Sequence, residues 1–368
     1  MRVLVVGGGV GGLGLAQGLR RRGVDVTVFE RDAGPRARRQ GYRLHLDTRA
    51  TSALRSCLSP ALFARLPSIT GTPSRRVTVL TPQLKTLHTV EITDPDSTSV
   101  DRGALRSLLL AGLDGTVHFG SAFERYASLP GNRIRVHLTD GSHADGDVLV
   151  GADGIGSRVR AQYLPDARLI DVGTHCIYGR TPLEGVRSSV PPPLWDGFCP
   201  VTDRRRLGLA LGLVRSAAVE DYVMWCLSAR AGVLGPDLES LSPAALHALV
   251  AARLASWHPN LRHLIAEATV AETFALSVRS SVPCPRWTPT RVTLLGDAIH
   301  AMAPSQGSGA NLALLDAARL CEALTCPGDL IPAIGAYETH MTATGFAAVR
   351  ASLKASRPSL LGRLPTRR

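Results

Sequence analysis

Long apolar runs are missing from this 368-residue chain, and their absence limits the protein classes to which it can belong. No stretch of about 18 apolar residues occurs, so a membrane-spanning helix is not expected. The run Val3 to Val6 is too short for the core of a signal peptide and leads straight into glycines. Repeats and low-complexity segments are also lacking. We therefore expect a globular, cytoplasmic protein with one large core or two joined lobes.

Clustered cysteines are lacking as well. The cysteines are odd in number and dispersed, and they form neither a Cys-x-x-Cys pair nor a group with histidine at metal-ligand spacing. This pattern argues against a metal site and predicts reduced, mostly buried thiols. The seven residues are Cys57, Cys176, Cys199, Cys226, Cys284, Cys321 and Cys326.

Acidic residues are fewer than basic ones, which gives a formal net charge of +12. Basic runs such as Arg20 to Arg22 and Arg204 to Arg206 are short, and no aromatic residues are interleaved with them. Because no nucleic-acid-binding signature accompanies the charge, we expect no nucleic-acid partner. The excess of arginine suits anionic cofactors and substrates instead.

The first 30 residues have the pattern of a βαβ unit. Val3 to Val6 predicts a strand, apolar residues at helical spacing follow as far as Gly23, and Val24 to Phe29 predicts a second strand. A glycine turn before the helix lets the backbone approach a pyrophosphate, and the helix amides point at the anion. Glu30 is placed to accept hydrogen bonds from a ribose. These features predict a dinucleotide site, and by themselves they fit NAD as well as FAD.

Two later strands also end in glycine and aspartate. Residues Gly151 to Arg160 follow the strand Val148 to Val150, and residues Gly296 to Asn311 follow the strand Val292 to Leu295. Asp297 can accept hydrogen bonds from sugar hydroxyls, and the amides of residues 307–311 can face the negative edge of a flavin. A close-packed glycine turn without a ligand does not explain these two motifs.

The remaining patterns outline the rest of the fold. Asp101 is the expected N-cap of a helix that runs to Leu110. Two alternating stretches, Ile134 to Leu138 and Asp147 to Val150, suggest a hairpin feeding a core strand. Residues from about 173 to 281 predict a sheet-rich lobe that contains a helix over 243–257, and a later helix is expected over 310–324.

Taken together, the motifs resemble those of the para-hydroxybenzoate hydroxylase-like flavoprotein monooxygenases, the single-component FAD aromatic hydroxylases. The match spans residues 3 to about 320 and follows the family's order and spacing. It comprises Gly7-x-Gly9-x-x-Gly12 with Glu30, Asp101-Arg102-x-x-Leu105-Arg106, Gly151-Ala152-Asp153-Gly154 with Ser157 and Arg160, and Gly296-Asp297-Ala298 followed by Pro304-x-x-Gly307-x-Gly309-x-Asn311.

The resemblance implies an α/β fold with a discontinuous Rossmann-like FAD-binding domain of the GR2 type, an inserted sheet-rich substrate domain and a C-terminal helix. We expect the FAD-binding domain in residues 1–72, 98–172 and 282–355, and the substrate domain in residues 73–97 and 173–281. We also expect residues 356–368 to be a basic tail, and we expect the short form of the family, without the long C-terminal extension of some relatives.

The resemblance also implies tight, non-covalent FAD and a set of residues that serve it. Glu30 would hold the adenosine ribose, Asp297 would bind ribityl hydroxyls, and Asp153 and Arg160 would serve FAD and NAD(P)H. His45 lies in a stretch near the flavin, where ordinary packing is the alternative. The implied cofactor residues are Gly7, Gly9, Gly11, Gly12, Glu30, Arg31, Arg38, His45, Arg102, Arg106, Asp153, Arg160, Asp297, Pro304, Gly307, Gly309, Ala310 and Asn311.

The implied activity is a monooxygenase reaction with NADPH or NADH as transient reductant and O₂ as co-substrate. A flavin hydroperoxide would insert one oxygen atom into an aromatic or polycyclic small molecule by hydroxylation, epoxidation or Baeyer–Villiger chemistry. Because the protein positions reactants and excludes water, no catalytic residue is named. The chain could be a monomer or a homodimer.

Other flavoprotein classes and the substrate pocket stay open. An FAD-dependent reductase or dehydrogenase is one alternative, and a halogenase is another, although the four tryptophans are too far apart for the halogenase Trp-x-Trp pattern. Candidate pocket residues are His175, Tyr178, Arg180 and Tyr222, with residues 207–214 and Trp225 as walls.

Overall fold

The computed structural model describes residues 1–35, 37, 42–203, 207–304 and 307–356. Its strands are β1 (Arg2–Val6), β2 (Asp25–Phe29), β3 (Arg43–Leu46), β4 (Arg76–Leu80), β5 (Thr86–Glu91), β6 (Thr98–Asp101), β7 (Val117–His118), β8 (Phe123–Leu129), β9 (Arg133–Leu138), β10 (His143–Gly146), β11 (Val148–Gly151), β12 (Leu169–Pro182), β13 (Gly197–Thr202), β14 (Gly208–Ser216), β15 (Val219–Arg230), β16 (Phe274–Ser281) and β17 (Val292–Leu294). Its helices are α1 (Val10–Arg21), α2 (Thr48–Cys57), α3 (Pro60–Phe63), α4 (Leu66–Ile69), α5 (Arg102–Leu110), α6 (Arg158–Tyr163), α7 (Pro243–Arg253), α8 (Pro259–Ala266), α9 (Asp297–His300), α10 (Gly309–Thr325) and α11 (Leu330–Ser356).

A five-stranded parallel sheet forms the centre of the first domain, in the order β17-β11-β1-β2-β7. Its central strands are nearly continuous apolar runs because both faces of the sheet are buried, and the apolar residues of β9 lie in the same core as those of β1 and β11. The strands come from distant parts of the chain, as the pairing of Val3 with both Val26 and Val148 illustrates. The expected discontinuous Rossmann-like domain is confirmed.

Helices α1 and α10 pack against each other through glycines. A Cβ built on Gly11 would lie 3.2 Å from Cβ of Ala313, and one built on Gly18 would lie 2.9 Å from Sγ of Cys321. The earlier glycine of α1 contacts the earlier residue of α10, and the later glycine contacts the later residue, so the two helices run in the same direction. Their N-termini therefore lie at the same end, where the parallel strands β1, β11 and β17 terminate.

A seven-stranded mixed sheet in the order β16-β12-β15-β14-β13-β4-β5 forms the second domain. Side chains of β15 alternate between its two faces. Val223, Trp225 and Leu227 join a core completed by α7 and α8, whereas Tyr222 and Met224 belong to a separate cluster that includes Ala303 of the first domain. This second cluster defines the cleft face of the large sheet.

One expectation about the pocket walls is wrong. Trp225 is fully buried on the face opposite the cleft, where its indole Nε1 donates to the Thr181 hydroxyl at 3.2 Å. Leu209 and Leu211 lie in the same far-side core, so only alternate residues of the 207–214 stretch face the cleft. The large-sheet pattern was identified, but the sequence does not show which of its faces α7 and α8 cover.

Local expectations can be compared with the observed elements. The carboxylate of Asp101 caps α5 by accepting from the amide of Ala104 at 2.9 Å, as predicted. The hairpin partner of β9 is instead β10, and β11 pairs with β1 and β17. Helix α7 ends at Arg253, four residues earlier than expected. The domain boundaries stay a prediction.

A hydrogen bond joins the two domains near the cleft. The buried hydroxyl of Tyr222 donates to Oδ2 of Asp101 at 2.8 Å, and the same carboxylate caps α5 through its other oxygen. No helix in the described ranges is both long and apolar enough to cross a membrane. Within these ranges, no three acidic, histidine or cysteine side chains gather as a metal-binding group would.

Candidate functional site

The turn between β1 and α1 combines crowded glycines with one open glycine. Gly7 has a φ of +111°, and a Cβ there would lie 2.3 Å from the carbonyl oxygen of Ala152. A Cβ on Gly12 would lie 2.1 Å from the carbonyl oxygen of Gly7. Around a Cβ on Gly9, by contrast, no atom of the described residues lies within 4 Å. Gly9 is also the N-cap of α1 and provides no side chain to its first amides, which leaves space for an anion there.

Glu30 supports this turn from the end of β2. Its buried carboxylate accepts from the amide of Gly8 at 2.7 Å and from the amide of Asp32 at 2.9 Å. Nη2 of Arg106 lies 3.7 Å from the carboxylate, and Nε of Arg106 donates to the carbonyl of Gly8 at 3.0 Å. Glu30 and Arg106 therefore meet at the glycine turn, as their shared cofactor assignment requires.

The other predicted arginines are placed differently. Arg31 is exposed, and Arg38 lies outside the described residues. Arg102 is half-buried at the start of α5, and its amide donates to the carbonyl of Tyr42 at 2.8 Å. Its charge lowers the pKa of Asp297, which places the two side chains in the same region.

Asp153 and Arg160 are engaged with protein groups. Asp153 accepts from the Ser157 hydroxyl at 2.6 Å and from the amide of Arg158 at 2.8 Å, and so caps α6. Burial raises the pKa of Asp153, while these hydrogen bonds lower it. The buried guanidinium of Arg160 donates to the carbonyl of Ala298 at 2.8 Å, which ties α6 to α9. A cofactor contact for either residue stays a prediction.

Asp297 lies in a recess beside the N-terminus of α10. Its side chain is solvent-exposed, yet the surrounding protein raises the pKa of its carboxyl by desolvation, against the opposing effects of His300 and Arg102. Both observations hold if the carboxylate lines a cleft. A Cβ built on Gly309 would lie 3.7 Å from Oδ1 of Asp297, so the carboxylate is next to the first turn of α10.

The loop before α10 carries the remaining predicted residues. Pro304 and Gly307 are exposed, and Gly309 and Ala310 open the helix. Ser308, the N-cap of α10, makes no side-chain hydrogen bond to the amides of the first turn. As at α1, no side chain of the described residues is seen to cap the start of this helix, which favours a negatively charged group there.

Asn311 fastens this loop to β3. It is fully buried, and its Nδ2 donates to the carbonyls of His45 at 2.9 Å and Gly307 at 3.0 Å. Its Oδ1 accepts from the amide of Asp47 at 3.0 Å. A Cβ on Gly307 would lie 3.3 Å from Cβ of His45, so the loop and the strand are in contact. Asn311 and His45 are thus brought together, and the Asn311 side chain positions the loop; a cofactor contact for either residue stays a prediction.

Sequence reasoning missed the buried pair His300 and Asp316. His300 belongs to a motif that was identified, but Asp316 lies among apolar residues of α10. The missed signal is an acidic residue at helical spacing from Leu312 and Leu320, on the face that should be apolar.

The cleft face of the large sheet is aromatic and contains charged groups. Tyr178 stacks on Phe274 with ring centres 5.4 Å apart, and the guanidinium of Arg180 lies 5.3 Å from the ring centre of Tyr222. Arg180 is also paired with Glu272. Three of the four predicted pocket candidates therefore share this face, and it can receive a planar apolar ligand.

Two family profiles match the chain. The NAD(P)-binding Rossmann-like domain covers residues 5–55, which include the glycine turn and Glu30. The FAD binding domain covers residues 250–328, which include Asp297 and the start of α10. The two profiles thus fall on the two segments that meet at the sheet edge.

Relatives of known name and a solved structure agree with the profiles. The 3-amino-4-hydroxybenzoate 2-monooxygenase of Streptomyces cremeus is 32% identical over 92% of this chain and 82% of that protein. The dual O-methyltransferase/FAD-dependent monooxygenase of Cercospora beticola is 32% identical over 92% of this chain, which spans 44% of that longer protein. A structure of a candidate FAD-containing monooxygenase from Photorhabdus luminescens matches with a TM-score of 0.89 and 31% identity, covering 98% of this chain and 99% of that one.

These similarities extend over nearly the whole described fold and include a relative that the chain covers almost from end to end. The two matched profiles cover the crowded glycine turn, Asp297 and the start of α10. The chain therefore belongs to the FAD-dependent monooxygenases of the para-hydroxybenzoate hydroxylase-like family.

Proposed function

We propose that the chain binds FAD and uses NAD(P)H and O₂ to insert one oxygen atom into an aromatic or polycyclic small molecule. One observation carries the proposal. The uncapped N-termini of α1 and α10 lie side by side at the sheet edge, with the open Gly9 in front of one and the exposed Asp297 beside the other. This arrangement suits a long ligand with a diphosphate at one end and an electron-poor ring at the other.

The residues of the cleft fit FAD in chemistry and order. The pyrophosphate would lie against Gly9 and the amides of α1, with Glu30 toward the ribose and Arg102 or Arg106 toward the phosphates. Asp297 would accept from ribityl hydroxyls, and Pro304, Gly307 and the α10 amides would border the isoalloxazine. Bound FAD supplies a ring that NAD(P)H can reduce and that can then react with O₂.

The protein itself would contribute orientation and exclusion of water. Asn311 fixes the loop before α10 against β3, and Arg160 fixes α9, so side-chain hydrogen bonds hold the elements that would border the ring. The aromatic cleft face opposite them, with Tyr178 and Tyr222, would hold the substrate ring in a dry setting. No side chain of the cleft is assigned as a general acid or base.

The relatives support the oxygenase chemistry. The Streptomyces and Cercospora proteins are both named as monooxygenases, and the former acts on a hydroxybenzoate by its name. A reductase, dehydrogenase or halogenase is not favoured by these names. We also propose the domain division given above, with residues 73–97 and 173–281 providing the substrate side of the cleft.

Product analysis tests the proposal directly. The purified protein is incubated with FAD, NADPH or NADH, and isotopically labelled O₂ across a panel of aromatic and polyketide compounds. We expect substrate-stimulated NAD(P)H oxidation and a product that has gained one labelled oxygen atom. Oxidation of NAD(P)H that yields only hydrogen peroxide with every compound, or failure to bind FAD, would contradict the proposal.

A further inference from the structure

We propose that Arg21, Arg22 and Arg55 form a second anion site, which binds a phosphate group at the end of the Rossmann-like domain opposite the glycine turn. Helix α1 has 12 residues and is therefore about 18 Å long. Arg21 is its last residue, whereas Gly9 lies just before its first. The site is thus separate from the cofactor cleft, and the inference does not depend on the proposed function.

An open depression of about 470 Å³ lies where α1 and α2 end. Arg22 is the C-cap of α1, and Arg55 lies in the last turn of α2. All three arginines are exposed at this surface. The volume is in the range of pockets that hold small molecules, so it has room for a phosphate or diphosphate group. The lining residues are Arg21, Arg22, Ser52, Arg55 and Ser56.

Two of the arginines also cap helix ends. Nη1 of Arg21 donates to three carbonyls at the end of α2, the shortest of these bonds being 2.7 Å, to Leu58. Arg22 donates through Nη1 to the carbonyl of Gly18 at 3.2 Å and through Nη2 to the Ser56 hydroxyl at 3.3 Å. Cations suit the negative ends of helix dipoles, which explains this placement. The contacts also hold both guanidinium groups at the wall of the depression before a ligand binds.

Capping does not account for Arg55 or for the concentration of positive charge. The Arg55 guanidinium carbon lies 4.6 Å from the ring centre of Phe63, and the guanidinium makes no hydrogen bond to any described residue. Elsewhere arginines have carboxylate partners, as Arg135 has Asp145 at 2.7 Å. Within the described ranges, no carboxylate lies within 4.0 Å of the three arginines that line the depression. Like charges that converge without a counter-ion repel one another, so this surface attracts anions.

A phosphate group matches the arrangement in both charge and shape. Its oxygens point in several directions, so it can accept from guanidinium groups on different walls and from serine hydroxyls. Ser52 and Ser56 provide such hydroxyls in the same depression. A carboxylate has two oxygens in one plane and is satisfied by a single arginine fork, which would leave the other charges uncompensated. The phosphate can belong to a soluble phosphate compound or to a lipid headgroup.

Calorimetric titration of the FAD-loaded protein with inorganic pyrophosphate tests the inference. We expect saturable binding at an ionic strength of about 0.1 M, where exposed charges more than about 10 Å away are largely screened. Arg55→Gln should raise the Kd about tenfold or more, because a charge-assisted contact is lost, and Arg22→Gln should raise it as well. Acetate should bind at least about tenfold more weakly than pyrophosphate. A phosphate site in the cofactor cleft would not respond to these variants, since they lie at the other end of α1.

A matched control is Arg253→Gln. Arg253 is also exposed and in the last turn of a helix, but it lies in the other domain, so the change should leave the Kd for pyrophosphate unchanged. Arg55→Gln should keep the wild-type Tm, so its weaker affinity reports the loss of a ligand contact.

Vesicle cosedimentation distinguishes the two sources of phosphate. The protein is mixed with vesicles of phosphatidylcholine alone or with added phosphatidylglycerol. Binding that requires both phosphatidylglycerol and Arg55, without binding of pyrophosphate, would assign the site to a lipid headgroup. Binding of pyrophosphate alone would assign it to a soluble phosphate compound. The inference would be overturned by a lack of binding to both, by an equal loss in Arg253→Gln, or by acetate that binds as tightly as pyrophosphate.

Discussion

The carboxylate of Asp316 accepts a hydrogen bond from the imidazole Nε2 of His300 at 2.6 Å, and both side chains are buried. The same oxygen, Oδ2, accepts from the amide of Gly296 at 3.0 Å. Burial lowers the pKa of His300, but Asp316, with smaller contributions from Asp297 and a backbone hydrogen bond, raises it, and the net shift is upward. The pair thus holds, through α10, the backbone from which Asp297 projects into the cleft.

Asp316→Asn should weaken FAD binding, although Asp316 is buried and is not expected to contact the cofactor. The change removes the charge that pairs with His300, and the Gly296 amide then donates to a neutral amide oxygen, which accepts less strongly than a carboxylate. Breaking such a buried pair costs about 3 kcal/mol or more. We expect a lower free energy of unfolding and a Kd for FAD raised about tenfold, measured by urea denaturation and equilibrium dialysis. Glu322→Gln, on the exposed side of the same helix, is the matched control. If Asp316→Asn bound FAD as tightly as the wild type, the pair of His300 and Asp316 would not be needed to position Asp297.

Gly9→Ala tests the open glycine. Because no atom of the described residues lies within 4 Å of the added Cβ and φ at Gly9 is −80°, the substitution should leave the ligand-free fold unchanged. The methyl group would instead occupy the space proposed for the pyrophosphate. We expect near-wild-type Tm without FAD and a Kd for FAD about tenfold or more higher.

A second glycine provides the control for that experiment. Gly185 in the other domain is exposed and equally free of neighbours, so Gly185→Ala should change neither Tm nor FAD affinity. If Gly9→Ala retained FAD like the wild type, the cofactor would not approach the backbone at this turn.

The N-terminal βαβ unit could be predicted from the sequence because its signals lie within 30 residues. The strand of Val3 to Val6, the glycine spacing and Glu30 are all local, and local chemistry decides the turn. The partner of β9 could not be read in this way, since β10 is a short polar strand whose pairing depends on a tight turn and tertiary contact. The orientation of Trp225 was missed for a related reason, because alternation defines two faces but does not say which one other elements cover.

The candidate site shows the same limit at the level of single side chains. Asp297 follows the end of β17, and Gly307 precedes the start of α10. Sequence patterns indicate both kinds of position. Asn311 bonds to residues 264 and 266 positions earlier in the chain, and Arg43 reaches Gly212 on another sheet. Such contacts depend on how the domains pack, so the sequence suggested an assignment for Asn311 without its positioning role, and it suggested no contact between Arg43 and the large sheet.

Asn311→Ala should loosen the loop before α10. The substitution leaves the carbonyls of His45 and Gly307 and the amide of Asp47 without their buried partner, and each unsatisfied group costs about 1–3 kcal/mol. We expect a lower free energy of unfolding, weaker FAD binding and a larger share of NAD(P)H oxidised without oxygenated product. Asn311→Asp keeps the acceptor for Asp47, but it buries a carboxylate that faces the carbonyl oxygens of His45 and Gly307, so at neutral pH its stability should fall at least as far. Equal, wild-type coupling in both variants would show that the loop does not depend on this side chain.

Glu338 on α11 should make stability depend on pH. Its side chain is 4% exposed, and burial raises the pKa of its carboxyl to about 7, although a hydrogen bond from the Thr293 hydroxyl at 2.8 Å opposes the shift. Between the unfolded pKa of 4.5 and the folded value of about 7, the folded protein binds more protons than the unfolded chain. The contribution of this group to stability must therefore fall as pH rises through that window, by up to about 3 kcal/mol.

Glu338→Gln removes the titration and keeps an oxygen to accept from Thr293. We expect the variant to gain stability relative to the wild type as pH rises from about 5 to about 8, because the wild type alone must bury a charge at the upper end. Urea denaturation at several pH values measures the difference in the free energy of unfolding between the two proteins. Because the other groups titrate in both proteins, their effects cancel in this difference. Glu322→Gln, an exposed glutamate of α10, should follow the wild type throughout. Parallel curves for Glu338→Gln and the wild type would mean that Glu338 ionises equally easily in the folded and unfolded chains.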